Sequence, residues 1–145
     1  MDFGTAMGYF SLPMARMIRP DGKVICVDIQ EKMLKVLLKQ AEKAKLHEYI
    51  EIYQTGDPGI NLAPFYNLID FILCFAVVHE VRDQERLFGE LYQVLKTGGR
   101  VLLAEPRGHV SQNAFNKTID TAKKWNFADI MRIKIPRTRA AILKK

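Results

Sequence analysis

The sequence predicts an α/β fold: a mostly parallel sheet with helices on both faces, ending in a C-terminal antiparallel β-hairpin. Three observations point there. Apolar runs of strand length alternate with amphipathic helical stripes along most of the chain, the rhythm of βα units wound around a parallel sheet. The most hydrophobic run, residues 70–78, lacks polar alternation, as a central strand covered on both faces should. The last two runs, Ile130-Ile133-Ile135 and Ala140-Ile142, are separated by only a few residues around Pro136. So short a link cannot make a parallel crossover, and a hairpin is expected.

Each element follows from local chemistry. Asp2-Phe3-Gly4-Thr5-Ala6-Met7-Gly8 reads as the tail of a strand running into a tight turn of small residues. A helix pattern comes next, with Phe10, Met14, Met17 and Ile18 expected on one face and Pro13 tolerated near its first turn. Pro20-Asp21-Gly22 is a turn, because it combines fixed φ, a short polar acceptor and freedom for positive φ. The strand Val24-Ile25-Cys26-Val27-Asp28 ends in a carboxylate. Leu34, Leu37, Leu38, Ala41 and Ala44 then mark the buried stripe of a lysine-rich helix. Residues 50–54 alternate as a short strand does, and Gly56-Asp57-Pro58-Gly59 breaks it. Residues 60–67 read as a loop.

Beyond the central strand, Asp83 is placed to cap a helix carrying Leu87, Phe88, Leu91, Val94 and Leu95, with Gly98-Gly99 as its expected stop. Residues 101–104 form another buried strand, and 105–109 a loop at its carboxyl end. Ser111 is placed to cap a helix carrying Phe115, Ile119 and Ala122.

Composition bounds the function. With 145 residues and 48% hydrophobic content, the chain fits one domain with a real core. No apolar run reaches the roughly 18–20 residues of a membrane span, and the start lacks the basic-then-apolar pattern of a secretory signal. Cys26 and Cys74 both lie in apolar strands, as buried thiols of a reducing compartment do, so a cytoplasmic protein is expected. No histidine, cysteine or carboxylate spacing has a metal-ligand signature. The net charge of +6 is concentrated late, from Lys123 to Lys145. A basic end attracts acidic partners, but no recognition motif accompanies it, and nucleic acid is not the favoured partner.

In open parallel sheets, ligands bind at the carboxyl ends of the strands. The glycine turn, Asp28, Asp57, residues 75–80 and the 105–109 loop all fall there, so the sequence expects them in one crevice. Gly4 and Gly8 allow close backbone approach to a ligand. Asp28, 20 residues after Gly8, stands where an acidic side chain accepts from a ribose diol. A nicotinamide dinucleotide enzyme needs Gly-x-Gly-x-x-Gly; here those positions are Gly4, Ala6 and Tyr9, and two of three fail.

The order Asp-x-Gly-x-Ala-x-Gly, acidic Asp28, Gly56-Asp57, and Leu95-Lys96-Thr97-Gly98-Gly99 before a strand resembles the class I S-adenosylmethionine-dependent methyltransferases, over essentially the whole chain. It looks most like their small-molecule branch of quinone-biosynthesis and arsenite-type enzymes. The resemblance implies a Rossmann-like fold, S-adenosyl-L-methionine as cofactor and methyl transfer to a small-molecule acceptor. It implies cofactor contacts by Asp2 near the methionine ammonium, by the backbone of Gly4, Thr5 and Gly8, by Asp28 on the ribose, by Ile29 on the adenine face, by Asp57 on the adenine amino group, and by Phe75. His79, with Glu80 after it at the end of the central strand, is the candidate catalytic base or substrate-orienting group. Glu105 and His109 are weaker candidates. The arsenite-type enzymes hold substrate with several thiolates, which the two buried cysteines do not supply.

The family pattern has three alternate glycines, and Ala6 replaces the middle one. The family also carries a longer first strand and lid helices before this turn, so the chain reads as a single methyltransferase-like domain, 1–145, without most of that strand or those helices. Two consequences are expected: a shortened central strand, or a homodimer in which a second copy compensates. The alternative of a different class is a catalytically weak methyltransferase-like domain acting as a binding or interaction module.

Overall fold

The computed structural model describes residues 1–56, 60–127 and 129–145. The chain divides into two compact units, Met1–Gly59 and Ile60–Lys145.

The first unit is a three-stranded parallel sheet with two helices. Its strands are β1 (Asp2–Phe3), β2 (Val24–Asp28) and β3 (Ile50–Gln54), in the order β3-β2-β1. β1 has two residues and pairs Asp2 with Cys26 and Phe3 with Val27. The N–H groups of Gly4 and Thr5 both continue to the Val27 carbonyl, at 2.8 and 3.0 Å, so the turn starts from a fixed point on β2. Helix α1 spans Ser11–Met17 and α2 Glu31–Lys43. The apolar stripe of α2 buries Leu37 and Ala41 in a core with Ala15, Val24, Cys26, Leu46 and Ile50. Met14 and Ile18 pack against that core, but Met17 is 83% exposed. The expected apolar face of α1 is therefore narrower than its four-residue pattern, because Met17 is the last residue of a two-turn helix and points away.

The second unit has strands β4 (Ile69–Phe75), β5 (Leu95–Pro106), β6 (Asp129–Ile135) and β7 (Thr138–Lys144), in the order β4-β5-β7-β6. β4 and β5 are parallel, while β5 with β7 and β6 with β7 are antiparallel. The closing hairpin is thus present, with Pro136 and Arg137 as its link. Helix α3 (Gln84–Val94) is capped by Asp83, which accepts from the Arg86 N–H at 2.9 Å. Helix α4 (Gln112–Lys123) is capped by Ser111, which accepts from the Ala114 N–H at 3.1 Å. Both caps stand where the sequence placed them. Phe88, Leu91, Leu103, Phe115 and Leu143 are fully buried. Strands paired in parallel, with an antiparallel hairpin at the end, are the α/β class expected.

Four features differ from expectation. α3 stops at Val94, and Leu95, Gly98 and Gly99 belong to β5. There the pairing slips from Ile69↔Leu95 to Phe71↔Arg100, so one residue of β4, Asp70, stands against four of β5, 96–99, and the glycines serve a bulge, not a helix stop. β4 ends at Phe75, and Val78–Glu80 form a 3-10 turn instead of more strand. Ala63–Phe65, expected as loop, form another such turn. β5 runs on through Glu105 to Pro106, which shortens the expected loop by two residues.

Candidate functional site

In the first unit the turn after β1 is held from below by a buried carboxylate. Asp2 is 3% exposed, and its Oδ2 accepts from the Thr5 hydroxyl at 3.2 Å and from the Ser11 hydroxyl at 2.5 Å. The Thr5 and Ser11 hydroxyl oxygens also lie within hydrogen-bond distance of each other. Burial pushes the Asp2 pKa up from its ordinary value, against the opposing pull of the two hydroxyls. Ser11, fully buried at the start of α1, was not among the residues the sequence singled out. Its place in this network depends on the sharp reversal of the chain between residues 4 and 8, which spacing alone does not reveal. Cys26 lies on β2 beside β1, and burial raises its thiol to about 11, so it stays a packing group and not a nucleophile near neutrality.

The turn itself is built from three left-handed residues: Gly4 at φ 77°, Ala6 at φ 46° and Gly8 at φ 89°. Alternating positive φ turns successive backbone groups to one side, the geometry of a close-approach loop. Asp28 ties the turn to β2. Its Oδ2 accepts from the Ala6 N–H at 2.8 Å and its Oδ1 from the Gln30 N–H at 2.9 Å. A carboxylate offers about four acceptor positions, so each oxygen keeps capacity for a further donor such as a sugar hydroxyl. Ile29, next along, is 67% exposed and presents an apolar surface to solvent. The structure therefore brings Asp2, Gly4, Thr5, Gly8, Asp28 and Ile29 to one turn and the adjoining strand end. Asp57 lies outside the described residues. These groups suit a nucleoside with an attached amino acid: a carboxylate to accept from a diol, an exposed apolar side chain beside it and a loop of positive-φ backbone.

In the second unit, parallel pairing of Phe75 with Ala104 carries the end of β4 alongside Glu105. The result is a His79–Glu105 pair. His79 Nδ1 lies 2.6 Å from Glu105 Oε2, and the His79 backbone N–H donates to Oε1 at 3.1 Å. Glu105 is 1% exposed. A buried carboxylate on Nδ1 fixes the imidazole as the Nδ1–H tautomer when neutral, leaving the lone pair on Nε2. The ring keeps 25% of its side-chain surface, and His109 meets it edge to face with ring centroids 5.8 Å apart. An oriented imidazole with its far nitrogen free is the arrangement of a general base. The sequence named these three residues separately. It did not foresee that Glu105 is the orienting partner, because 26 residues separate it from His79 and only strand pairing joins them. Phe75 is half-buried at the end of β4. Among the described residues, no group of three His, Cys, Asp or Glu is arranged to hold a metal ion.

Fold and site together define a class: an α/β domain whose first βα turn is a glycine-type loop closed by an acidic strand end. The chain belongs to a methyltransferase-domain family, whose family model matches residues 1–138. It is 29% identical over 106 residues to the ubiquinone/menaquinone biosynthesis C-methyltransferase UbiE of Escherichia fergusonii, covering 72% of this chain and 41% of that protein. It is 32% identical over 105 residues to the demethylmenaquinone methyltransferase of Symbiobacterium thermophilum, again covering 72% and 41%. The chain thus spans about two fifths of the length of these relatives. Among solved structures, a SAM-dependent methyltransferase from Aquifex aeolicus superposes with a TM-score of 0.83 at 19% identity, over 99% of this chain and 79% of that one. An arsenic(III) S-adenosylmethionine methyltransferase from Chlamydomonas reinhardtii gives a TM-score of 0.73 at 18% identity, over 99% and 60%. These likenesses establish the Rossmann-like methyltransferase fold. No helix among the described residues is long and apolar enough to cross a membrane.

Proposed function

We propose that residues 1–145 act as one methyltransferase-like domain that binds S-adenosyl-L-methionine and directs its methyl group to a small-molecule acceptor. The observation that carries this reading is the Asp28 carboxylate. It is anchored to the Ala6 and Gln30 N–H groups and so is held rigid beside a turn of three positive-φ residues. In this reading Asp28 accepts from the ribose diol, Ile29 covers the adenine, Asp57 accepts from the adenine amino group, and Gly4, Thr5 and Gly8 lie along the methionine portion. Asp2 sits near its ammonium, and Phe75 lines the same ligand. When bound, the cofactor supplies a methyl group on a sulfonium, a good leaving group whose transfer depends chiefly on alignment.

The chain's own residues supply the proton handling. His79, oriented by Glu105, takes a proton from the acceptor on Nε2, while Glu105 keeps the ring fixed. Relatives named for quinone biosynthesis support a small aromatic acceptor of that chemistry. Two buried free cysteines support a cytoplasmic location. A homodimer and an oligonucleotide remain secondary partners in this reading, the latter tested by salt-dependent binding.

The test is isothermal titration of S-adenosylmethionine and S-adenosylhomocysteine into the wild-type chain and Asp28→Ala, with circular dichroism to show that both fold. Micromolar binding, lost in the variant, is expected. Absence of binding at millimolar ligand to a folded wild-type chain would overturn the proposal and bring forward the interaction-module alternative.

A further inference from the structure

Among the described residues, two guanidinium donors of one side chain in the second unit, Arg139, are buried without a hydrogen-bond partner. On β7, Arg139 stands directly opposite Glu105 of β5 and Lys134 of β6. Residues opposed across antiparallel strands project to the same face, so Arg139 shares a sheet face with the carboxylate that orients His79. On β6 the next residue of that face is Arg132. Its guanidinium lies 4.8 Å from the Phe115 ring centroid and donates to Asn116 Oδ1 at 2.8 Å, so this is the face that α4 covers. Arg139 is half-buried there, and its Nε and Nη1 are buried with no hydrogen-bond partner.

Nearby acceptors are turned to other donors. Glu105 gives both oxygens to His79, and the Thr138 carbonyl accepts from Arg107 Nε at 3.3 Å. Lys134 opposite adds a second positive charge on the same face, so two cations share it with the Glu105 carboxylate. Burying guanidinium N–H groups without acceptors is costly, and an uncompensated buried charge costs more than a missing neutral bond. A side chain that merely covers apolar surface would extend its head to water, which Nε and Nη1 do not reach. A planar, permanently charged group with two buried donors left unpaired in this way is matched by a planar oxyanion.

We propose that Arg139 is the anion anchor of the acceptor site, binding a carboxylate of the small molecule beside the His79–Glu105 pair. Calling that molecule the methyl acceptor rests on the proposed function; the anion site itself rests on the open guanidinium. Within the proposed reaction, Arg139 sets specificity: it selects acceptors that carry a negative charge.

The experiment uses the full chain, with and without saturating S-adenosylhomocysteine. Benzoate is titrated calorimetrically, with benzamide as its uncharged match, into wild type, Arg139→Met and Arg139→Lys. Benzoate is expected to bind at least about tenfold more tightly than benzamide, the scale of one charge-assisted contact. Arg139→Met should lose that preference and Arg139→Lys keep part of it. Without ligand, Arg139→Met should unfold at the same urea concentration as wild type or a higher one, since it removes an unpaired charge. Equal benzoate affinity in wild type and Arg139→Met, or no benzoate binding by wild type, overturns the proposal. So does a ligand-free chain that both substitutions destabilise, because the guanidinium would then be structural. Arg139→Lys carries the test if Arg139→Met fails to fold. Arg139-dependent benzoate binding by a chain that ignores S-adenosylhomocysteine would remove methyl transfer and leave the anion site standing.

Discussion

Replacing Gly8 by alanine should cost the first unit much of its stability. Gly8 sits at φ +89°, in the region where an L-residue pays about 1–2 kcal/mol for the contact between Cβ and the following carbonyl. The new methyl would also lie 2.9 Å from Leu37 Cγ and 3.2 Å from Leu37 Cδ1, with Leu12 Cγ at 3.6 Å. Leu37 is completely buried in the core of α2, so it cannot swing into solvent. Forcing a methylene-sized group into such a core costs about 1–3 kcal/mol. Alanine's smaller unfolded-state entropy returns about 0.4–1 kcal/mol, which leaves a net loss of about 1–4.5 kcal/mol. Urea unfolding at 25 °C followed by circular dichroism measures it, with Ala6→Gly as partner. Ala6 has φ +46° but belongs to the same turn; its change relieves left-handed strain and adds unfolded-state entropy, so it should stay within about 1 kcal/mol of wild type. A Gly8→Ala chain within about 0.5 kcal/mol of wild type would falsify the claim that this turn is shaped by positive φ and packed on Leu37.

Two further outcomes follow from single sites. Gly89→Ala in α3 places a Cβ 2.8 Å from Trp125 Cζ2 and 2.9 Å from Cη2. Overpacking of about 1–3 kcal/mol should outweigh a helix-propensity gain of about 1 kcal/mol, and emission from the only tryptophan in the chain should shift; unchanged emission with higher stability would show that the ring does not rest on Gly89. Asp2, whose folded pKa is raised from 3.8 by burial, binds its proton more tightly folded than unfolded. That contribution is full below pH 3.8 and is lost as pH rises through the folded value. Asp2→Asn should therefore improve relative to wild type between pH 4 and pH 7 in urea titrations; a constant difference across that range would mean that the carboxyl is not desolvated when ionised.

Much of the molecule was legible along the chain. Helix caps at Asp83 and Ser111, the unalternating β4 and the hairpin at Pro136 were readable because caps, burial on two faces and short links are local properties. The turn at Gly4–Gly8 and its acid at Asp28 were readable for the same reason, since backbone freedom and strand ends leave marks in composition and spacing. Gly98-Gly99 misled because glycine permits both a helix stop and a strand bulge, and the choice lies with the pairing of β5 on β4. Met17 misled because a short helix buries fewer residues than its period offers.

The sequence by itself determined the alternation of strands and helices, the glycine turn, the acidic strand end and the identity of the candidate base. Only the tertiary structure decided which groups meet. Parallel pairing set Glu105 on His79 across 26 residues, and the fold of the chain after β1 put Ser11 and Thr5 on the Asp2 carboxylate. Antiparallel pairing placed Arg139 opposite Glu105 while leaving its Nε and Nη1 without acceptors. Hydrogen bonds between distant residues depend on register and burial, and neither is encoded by the identity of any one residue or its neighbours.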